Sequence, residues 1–491
     1  MGVLTNLEPS SVFRYFEEIC GIPHGSSNTK EISDYCVRFA EDHGLRYLQD
    51  DYNNVIIYKD GTKGYESSAP VMMQGHLDMV CEKDAGCSID FESDGLMLEL
   101  SDGIVSAKGT TLGGDDGIAV AYCLAILDAD DIPHPPLEVV FTVDEEIGML
   151  GAAALDCSPL KAATMLNIDS EDEGCLLVSC AGGISVVSHL PVNTEEVTGY
   201  ACSLSVSGLL GGHSGVEIDK GRANACQILG RVLYKLSSKA SFKICSLRGG
   251  LKDNAIPREA DAKLVIPDEK AFSAVTSIVE DFDAVLKKEF KVTDPDISIS
   301  LIDEDGLADG KTKVKTQTAW TSDTAKKAIT ALVNLPGGIQ RMSFDIAGLV
   351  QTSLNLGIMS SDDSGITFSF AVRSSVETEK AELVEKITCL MDALGGTVEC
   401  SGEYPAWEYK QDSKLRDLMI EVYKEQYGSE PIVQAIHAGL ECGLFAGKMS
   451  DLDCVTFGPD MKDIHTTKES MDVQSVKRVW DYTLEILKRL K

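Results

Sequence analysis

The sequence predicts an α/β domain with a mostly parallel sheet flanked by helices, interrupted by a large α+β insert. Three observations predict it. Strand and helix patterns alternate through the first 180 residues, the texture changes between about 185 and 400, and the first texture returns in the tail. The expected boundaries are 1–185 and 402–491 for the split domain and 186–401 for the insert.

Taken in order, residues 9–20 place Val12, Phe13, Phe16, Ile19 and Cys20 at helical spacing. Asn28 with Glu31 reads as a capping box, and Gly44 stops the helix it opens. β-rich runs at 45–50 and 54–58 follow, split by Asp51-Tyr52-Asn53. Then come the strand Val71–Gln74, a small-residue helix at about 116–129, and the strands Leu137–Val143 and Thr164–Ile168. The insert reads strand 201–207, helix 220–237, strands 242–248 and 261–266, helix 269–289 and strand 297–302. The order nearly recurs as helix 320–333, strands 350–358 and 365–373, helix 378–394 and strand 396–401. This suggests two related halves, with the first strand of the second missing or degraded. The stretches 303–316 and 359–364 read as surface turns. The tail gives a helix at 411–427, a strand at Pro431–Ile436, a short helix near 439–447, a strand at 453–457 and a helix at 473–490.

Composition narrows the function. Hydrophobic residues make up 44% and charged residues 25%, which excludes a disordered chain. Lys and Arg total 44 against 78 Asp and Glu, a formal net charge of −34. A surface this acidic repels phosphate backbones and anionic lipid, so nucleic-acid and membrane partners are not expected. No apolar run is long enough to span a bilayer, and the start, Met1-Gly2-Val3-Leu4-Thr5-Asn6, does not read as a secretion signal. The 15 cysteines show no C-x-x-C pair and read as reduced thiols of a cytoplasmic protein.

Chemistry-bearing clusters follow the predicted strands: Gly75-His76-Leu77-Asp78, Asp144-Glu145-Glu146, Asp169, and the loop with Asp463 and His465. A fifth, Gly113-Gly114-Asp115-Asp116-Gly117, opens the long helix. In open α/β sheets, ligand sites lie beyond the carboxyl ends of the strands. So many carboxylates on one edge must protonate or bind cations. Imidazole with carboxylate suits zinc, and manganese or cobalt are compatible. The glycine-rich stretch lacks the Lys-Ser/Thr of a phosphate loop, and no Gly-x-Ser-x-Gly elbow occurs.

These clusters, with Asn167-Ile168-Asp169-Ser170 and Gly211-Gly212-His213-Ser214-Gly215, resemble the di-zinc aminoacylase/carboxypeptidase family of metallopeptidases. The stretches His437–Phe445 and Asp169-Ser170-Glu171 resemble its aminoacyl-histidine dipeptidase branch. The resemblance implies two divalent metals, about 3.5–4 Å apart. His76 and Asp169 would bind one and Glu146 and His465 the other, with Asp115 as the bridge and Asp116 as its competitor. Asp78 would hold a ring nitrogen of His76. Glu145 would act as general base on a metal-bridging hydroxide and pass the proton to the leaving amine.

The resemblance also makes the insert a lid. His213 would contact the tetrahedral intermediate, Asn254 would match a lid asparagine, and Arg373 would grip the free substrate carboxylate in two parallel hydrogen bonds. His437 either faces substrate or belongs to the core. The implied activity is a dinuclear-metal dipeptidase acting on small unblocked dipeptides, Xaa-His and carnosine-like ones included. The alternatives are an N-acyl amino-acid deacylase, a tripeptidase, or a metal-dependent binding protein without turnover. The doubled insert would let one chain complete its own site, and a homodimer is also compatible.

Overall fold

The computed structural model describes residues 2–303 and 314–491. The chain divides into two compact units: Met1–Cys180 with Trp407–Ala435 and Leu440–Lys491, and Ala181–Ala406 with Ile436–Gly439. The second unit therefore takes in residues 402–406 and the short segment carrying His437, both of which the sequence reading gave to the tail.

The first unit is built on an eight-stranded sheet in the order 46–49, 55–59, 137–142, 71–76, 164–167, 453–456, 175–180, 432–436. Its four central strands, Leu137–Thr142, Val71–His76, Thr164–Asn167 and Asp453–Thr456, run parallel. The pairs 46–49 with 55–59, 55–59 with 137–142 and 453–456 with 175–180 are antiparallel. The central strands are almost continuously buried, which is why they read as unbroken apolar runs instead of alternating ones. Parallel alignment brings their carboxyl ends to one edge, immediately before His76, Glu145, Asp169 and the segment after Phe457.

The helix Gly114–Asp128 packs against Val71–His76 and is buried almost all round, so small and aliphatic residues cover every face. Gly75 is where it comes closest: a Cβ there would meet Ala119 Cβ and an Asp116 oxygen at 2.6 Å each. The expected capping box at Asn28 does not form. The helix Lys30–Asp42 has Thr29 at its N-cap with no side-chain cap bond, and Asn28 Nδ2 points to the carbonyls of Phe91 and Glu92. A four-stranded antiparallel sheet that the sequence did not suggest pairs Met461–Lys462, Ser470–Asp472, Ile104–Ala107 and Leu98–Ser101. It brackets the turn that carries His465.

The second unit holds one long sheet in the order 298–303, 194–207, 260–266, 243–249, 350–361, 365–374, 182–191, 397–404. Read from its middle outward, the two halves are mirror equivalents, and each carries two of the helices 225–237, 269–289, 322–334 and 377–394. The strand taken to be missing from the second half is present. It is Gly182–Pro191, which precedes the first half in sequence and inserts between Gly365–Ser374 and Thr397–Tyr404. Of the turn expected at 303–316, residues 304–313 lie outside the described residues. At 359–364 the strand continues to Ser361, and a tight turn held by Asp362 Oδ1 follows.

Candidate metal centre and active site

Five backbone elements deliver the acid cluster of the first unit, Asp169 coming from just past the strand Thr164–Asn167. His76 ends its strand, and Asp78 follows in the turn beyond it. Asp115 and Asp116 open the long helix with non-helical backbone, after Gly113 at φ +67° has turned the chain. Asp144 and His465 hold left-handed backbone, at φ +55° and +61°, in the turns presenting Glu145–Glu146 and His465 itself.

The distances are short. Asp115 spreads its carboxylate between the two histidines: Oδ1 lies 3.2 Å from His76 Nε2 and Oδ2 lies 3.2 Å from His465 Nε2. Glu146 Oε1 is 2.9 Å from His465 Nε2, and Asp169 Oδ1 is 4.0 Å from His76 Nε2. Three groupings bring possible ligand atoms within 4.8 Å of one another: Asp115, Glu146 and His465; His76, Asp116 and Asp169; His76, Glu145 and Glu146. Asp116 is completely buried, with Oδ2 accepting from the main-chain N–H of His76 at 3.2 Å and Oδ1 lacking a hydrogen-bond partner. Only Asp115, of the two adjacent aspartates, reaches both histidines among the described residues.

The histidine support differs from expectation. His76 Nδ1 donates to the main-chain carbonyl of Asp78 at 2.9 Å, while the Asp78 carboxylate stands 3.6 Å from that nitrogen. The carbonyl fixes the ring's orientation and leaves Nε2 facing Asp115 and Asp169. The Asp78 carboxylate instead accepts from the main-chain N–H groups of Glu145 at 3.0 Å and Glu146 at 3.3 Å, and from Ser26 Oγ at 2.8 Å.

Electrostatically the cluster is short of positive charge. Burial raises Asp169 well above the carboxylate range, and the neighbouring Asp115 charge adds to it. Burial likewise raises Asp116, with Asp169 contributing, and pushes Glu145 up to about 8, with Glu441 and Glu146 reinforcing it. Hydrogen bonds to Asp115 and Glu146 push His465 up to about 10. Burial opposes ionisation of Asp115, but its bonds to His465 and His76 outweigh it and hold the carboxyl well below the usual range. Such a group must take up cations of some kind, and its oxygen and imidazole donors suit divalent metal ions.

A model of peptidase family M20/M25/M40 matches residues 72–489. The chain belongs to this family. As a member it is a metallopeptidase, a hydrolase of peptide bonds. It is 35% identical over 492 residues to the cytosol non-specific dipeptidase of Escherichia coli K12, covering 100% of this chain and 99% of that one. The crystal structure of aminoacylhistidine dipeptidase from Vibrio alginolyticus superposes with a TM-score of 0.91 at 33% identity, covering 99% and 98% of the two chains. The aminopeptidase PepT of Bacillus cereus shares the fold, with a TM-score of 0.55 at 16% identity and 99% of each chain covered.

In the peptidase's second unit, His213 and Asn254 are brought together by a two-stranded pairing of Gly212–His213 with Ala255–Ile256, and Ser214 N–H donates to Asn254 O at 2.8 Å. Main-chain N–H groups of Gly215 and Val216 aim at His213 Nδ1, at 3.1 and 3.3 Å. That nitrogen is therefore an acceptor, and the ring proton sits on Nε2. Arg373 Nη1 donates to Tyr404 Oη at 2.7 Å, and among the described residues no carboxylate lies within ion-pair distance of it. His437 is buried, bonded to Ser353 Oγ at 2.7 Å. Burial pushes its imidazole down to about 3, and the Arg373 charge adds to the effect. Burial and Arg373 also lower His213.

Sequence reasoning missed two buried glutamates. Glu469 accepts from the main-chain N–H groups of Leu112 at 2.7 Å, Gly113 at 3.2 Å and Gly114 at 2.8 Å, and so holds the turn that presents Asp115. Glu441 stood inside a motif already singled out, but nothing local marked its partners, which lie more than 290 residues away in sequence. Cys442, beside Glu441, is fully buried and burial pushes its thiol well up, so it is no thiolate.

Proposed function

We propose that this peptidase is a dinuclear-metal dipeptidase acting on unblocked dipeptides, those with C-terminal histidine among them, in the cytoplasm. One observation carries the reading: the Asp115 carboxylate is shared between His76 and His465. Two cations would be held there, one by His76 and Asp169 and the other by Glu146 and His465, with Asp115 between the two histidines. Zinc fits the donor set, and manganese or cobalt would be accepted. The two full-length relatives, a cytosol non-specific dipeptidase and an aminoacylhistidine dipeptidase, support the substrate class and the compartment.

Bound there, the cations would polarise the scissile carbonyl and make water nucleophilic at neutral pH. Glu145, whose raised carboxyl the nearby cations would return to the ionised form, would take the proton of the attacking water and hand it to the departing nitrogen. Asp78 keeps Glu145 and Glu146 in register through their main-chain N–H groups. In the second unit, the His213 Nε2–H is suited to an oxyanion and the Arg373 guanidinium to the terminal carboxylate of a dipeptide, with Asn254 beside His213.

The test is a substrate panel on the metal-loaded protein. Dipeptides, β-alanyl-histidine included, are expected to turn over, and N-acetyl amino acids and tripeptides to be at least about tenfold slower. Turnover of the acylated compounds alone would defeat the reading.

A further inference from the structure

The metal ligands stand above a row of polar side chains that the proposed mechanism does not use. Gln74, Asn167 and Thr456 occupy one register row of the three neighbouring parallel strands, and Thr142 is in register with His76 on the fourth. All four are fully buried, where the same strands otherwise carry Met73, Val139, Leu166 and Val455. Thr456 Oγ1 donates to Asn167 Oδ1 at 2.6 Å, and Asn167 Nδ2 donates to Gln74 Oε1 at 2.5 Å. The row ends on Glu441, the first residue of the helix Glu441–Lys448, which is itself fully buried. One oxygen of its carboxylate accepts from Gln74 Nε2 at 2.6 Å and from Thr142 Oγ1 at 2.7 Å. The other oxygen has no hydrogen-bond partner.

Placing so much polarity in a dry sheet interior is costly, and aliphatic residues of similar volume would pack there without that cost. What the row achieves is positional. Gln74 precedes His76 by two residues, Asn167 precedes Asp169 by two, and Thr142 precedes Glu145 by three. A single carboxylate oxygen thus ties the strand end of His76 to the strand end of Glu145 and Glu146, and through Gln74 reaches that of Asp169.

We propose that Glu441 is a positioning residue for the metal centre, its carboxylate clamping Gln74 and Thr142 so that His76 and the Glu145–Glu146 turn keep a fixed separation. The inference rests on the assignment of those residues to metal binding and base catalysis. Outer partners of this type change metal affinity or activity about 10–100-fold when removed.

Zinc affinity, by competition with a chromophoric chelator, and kcat and KM on β-alanyl-histidine are compared for the full-length wild type, Glu441→Gln and Glu441→Ala. The Ala variant should bind zinc about 10–100-fold more weakly and lose kcat at saturating zinc, with KM within about twofold. The Gln variant should regain most of the affinity, because its amide oxygen accepts from both donors. Equal zinc affinity and kcat in wild type and Glu441→Ala would overturn the proposal, as would a Gln variant as impaired as the Ala one. Should circular dichroism show that Glu441→Ala does not fold, Thr142→Val decides, since it removes one donor at nearly constant volume. Weakened zinc binding in that variant supports the clamp, and unchanged binding overturns it. A wild type that holds no zinc and splits no dipeptide would bring down the proposed function and this inference together. A competent wild type with an indifferent Glu441→Ala brings down this inference alone.

Discussion

The two units hold their functional side chains in opposite electrostatic states. In the first, Asp115, Glu145, Glu146 and Asp169 crowd around two histidines, and among the described residues no lysine or arginine pairs with any of the four. In the second, no carboxylate among the described residues pairs with Arg373, and both His213 and His437 are held toward the neutral form. One unit is short of cations and the other is short of an anion. Under the proposed function, metal ions would answer the first deficit and an anionic group the second.

The sharpest way to break the first half of that contrast is Glu145→Gln. The variant should keep its metal while kcat falls about 10²–10⁴-fold, as expected for loss of a general base. Metal analysis alongside dipeptide kinetics reads both, and an unchanged kcat would remove Glu145 from proton transfer. The second half is tested by Arg373→Ala. Removing a charge-assisted pair should lower kcat/KM on free dipeptides about 10–100-fold and leave the slow turnover of their C-terminal amides unaltered. A parallel loss on the amides would mean that Arg373 does not read the carboxylate.

A smaller effect sharpens the comparison through pH. His437 is pushed down to about 3 in the folded protein, against about 6.5 in an unfolded chain. Below pH 6.5 the unfolded chain binds a proton that the folded one refuses, so this residue makes stability fall as pH drops from 6.5 toward 3. Its contribution between pH 6.5 and 5 is about 2 kcal/mol. Urea unfolding of the wild type and His437→Gln at those two pH values should show the variant losing less stability on acidification. Equal losses would mean that His437 is not held neutral.

Much of this was legible in the sequence for a physical reason. A buried parallel strand is an uninterrupted apolar run, so Val71–Gln74, Leu137–Val143 and Thr164–Ile168 stood out, and the charged turns after them marked the candidate ligand edge. Features set by distant pairing were hidden. Leu98–Ser101 and Met461–Lys462 are too short and exposed to show periodicity, so the small sheet around His465 was not foreseen. The strand Gly182–Pro191 completes a half of the insert that begins well over a hundred residues later, which no local pattern reveals. Glu441 and Glu469 look like ordinary helix and loop acids until the fold brings Thr142, Gln74 and the Leu112–Gly114 turn onto them. The support of His76 was assigned to the Asp78 carboxylate, when the nearer acceptor is that residue's own carbonyl, a distinction that sequence does not encode.

Crystals of the zinc-loaded protein, with anomalous difference maps recorded at the zinc edge, address the paired-cation account most directly. Two peaks are expected in the first unit, one against His76 and Asp169 and one against Glu146 and His465, with Asp115 touching both. A map with no peak at these side chains, from protein that still hydrolyses dipeptides, would contradict it.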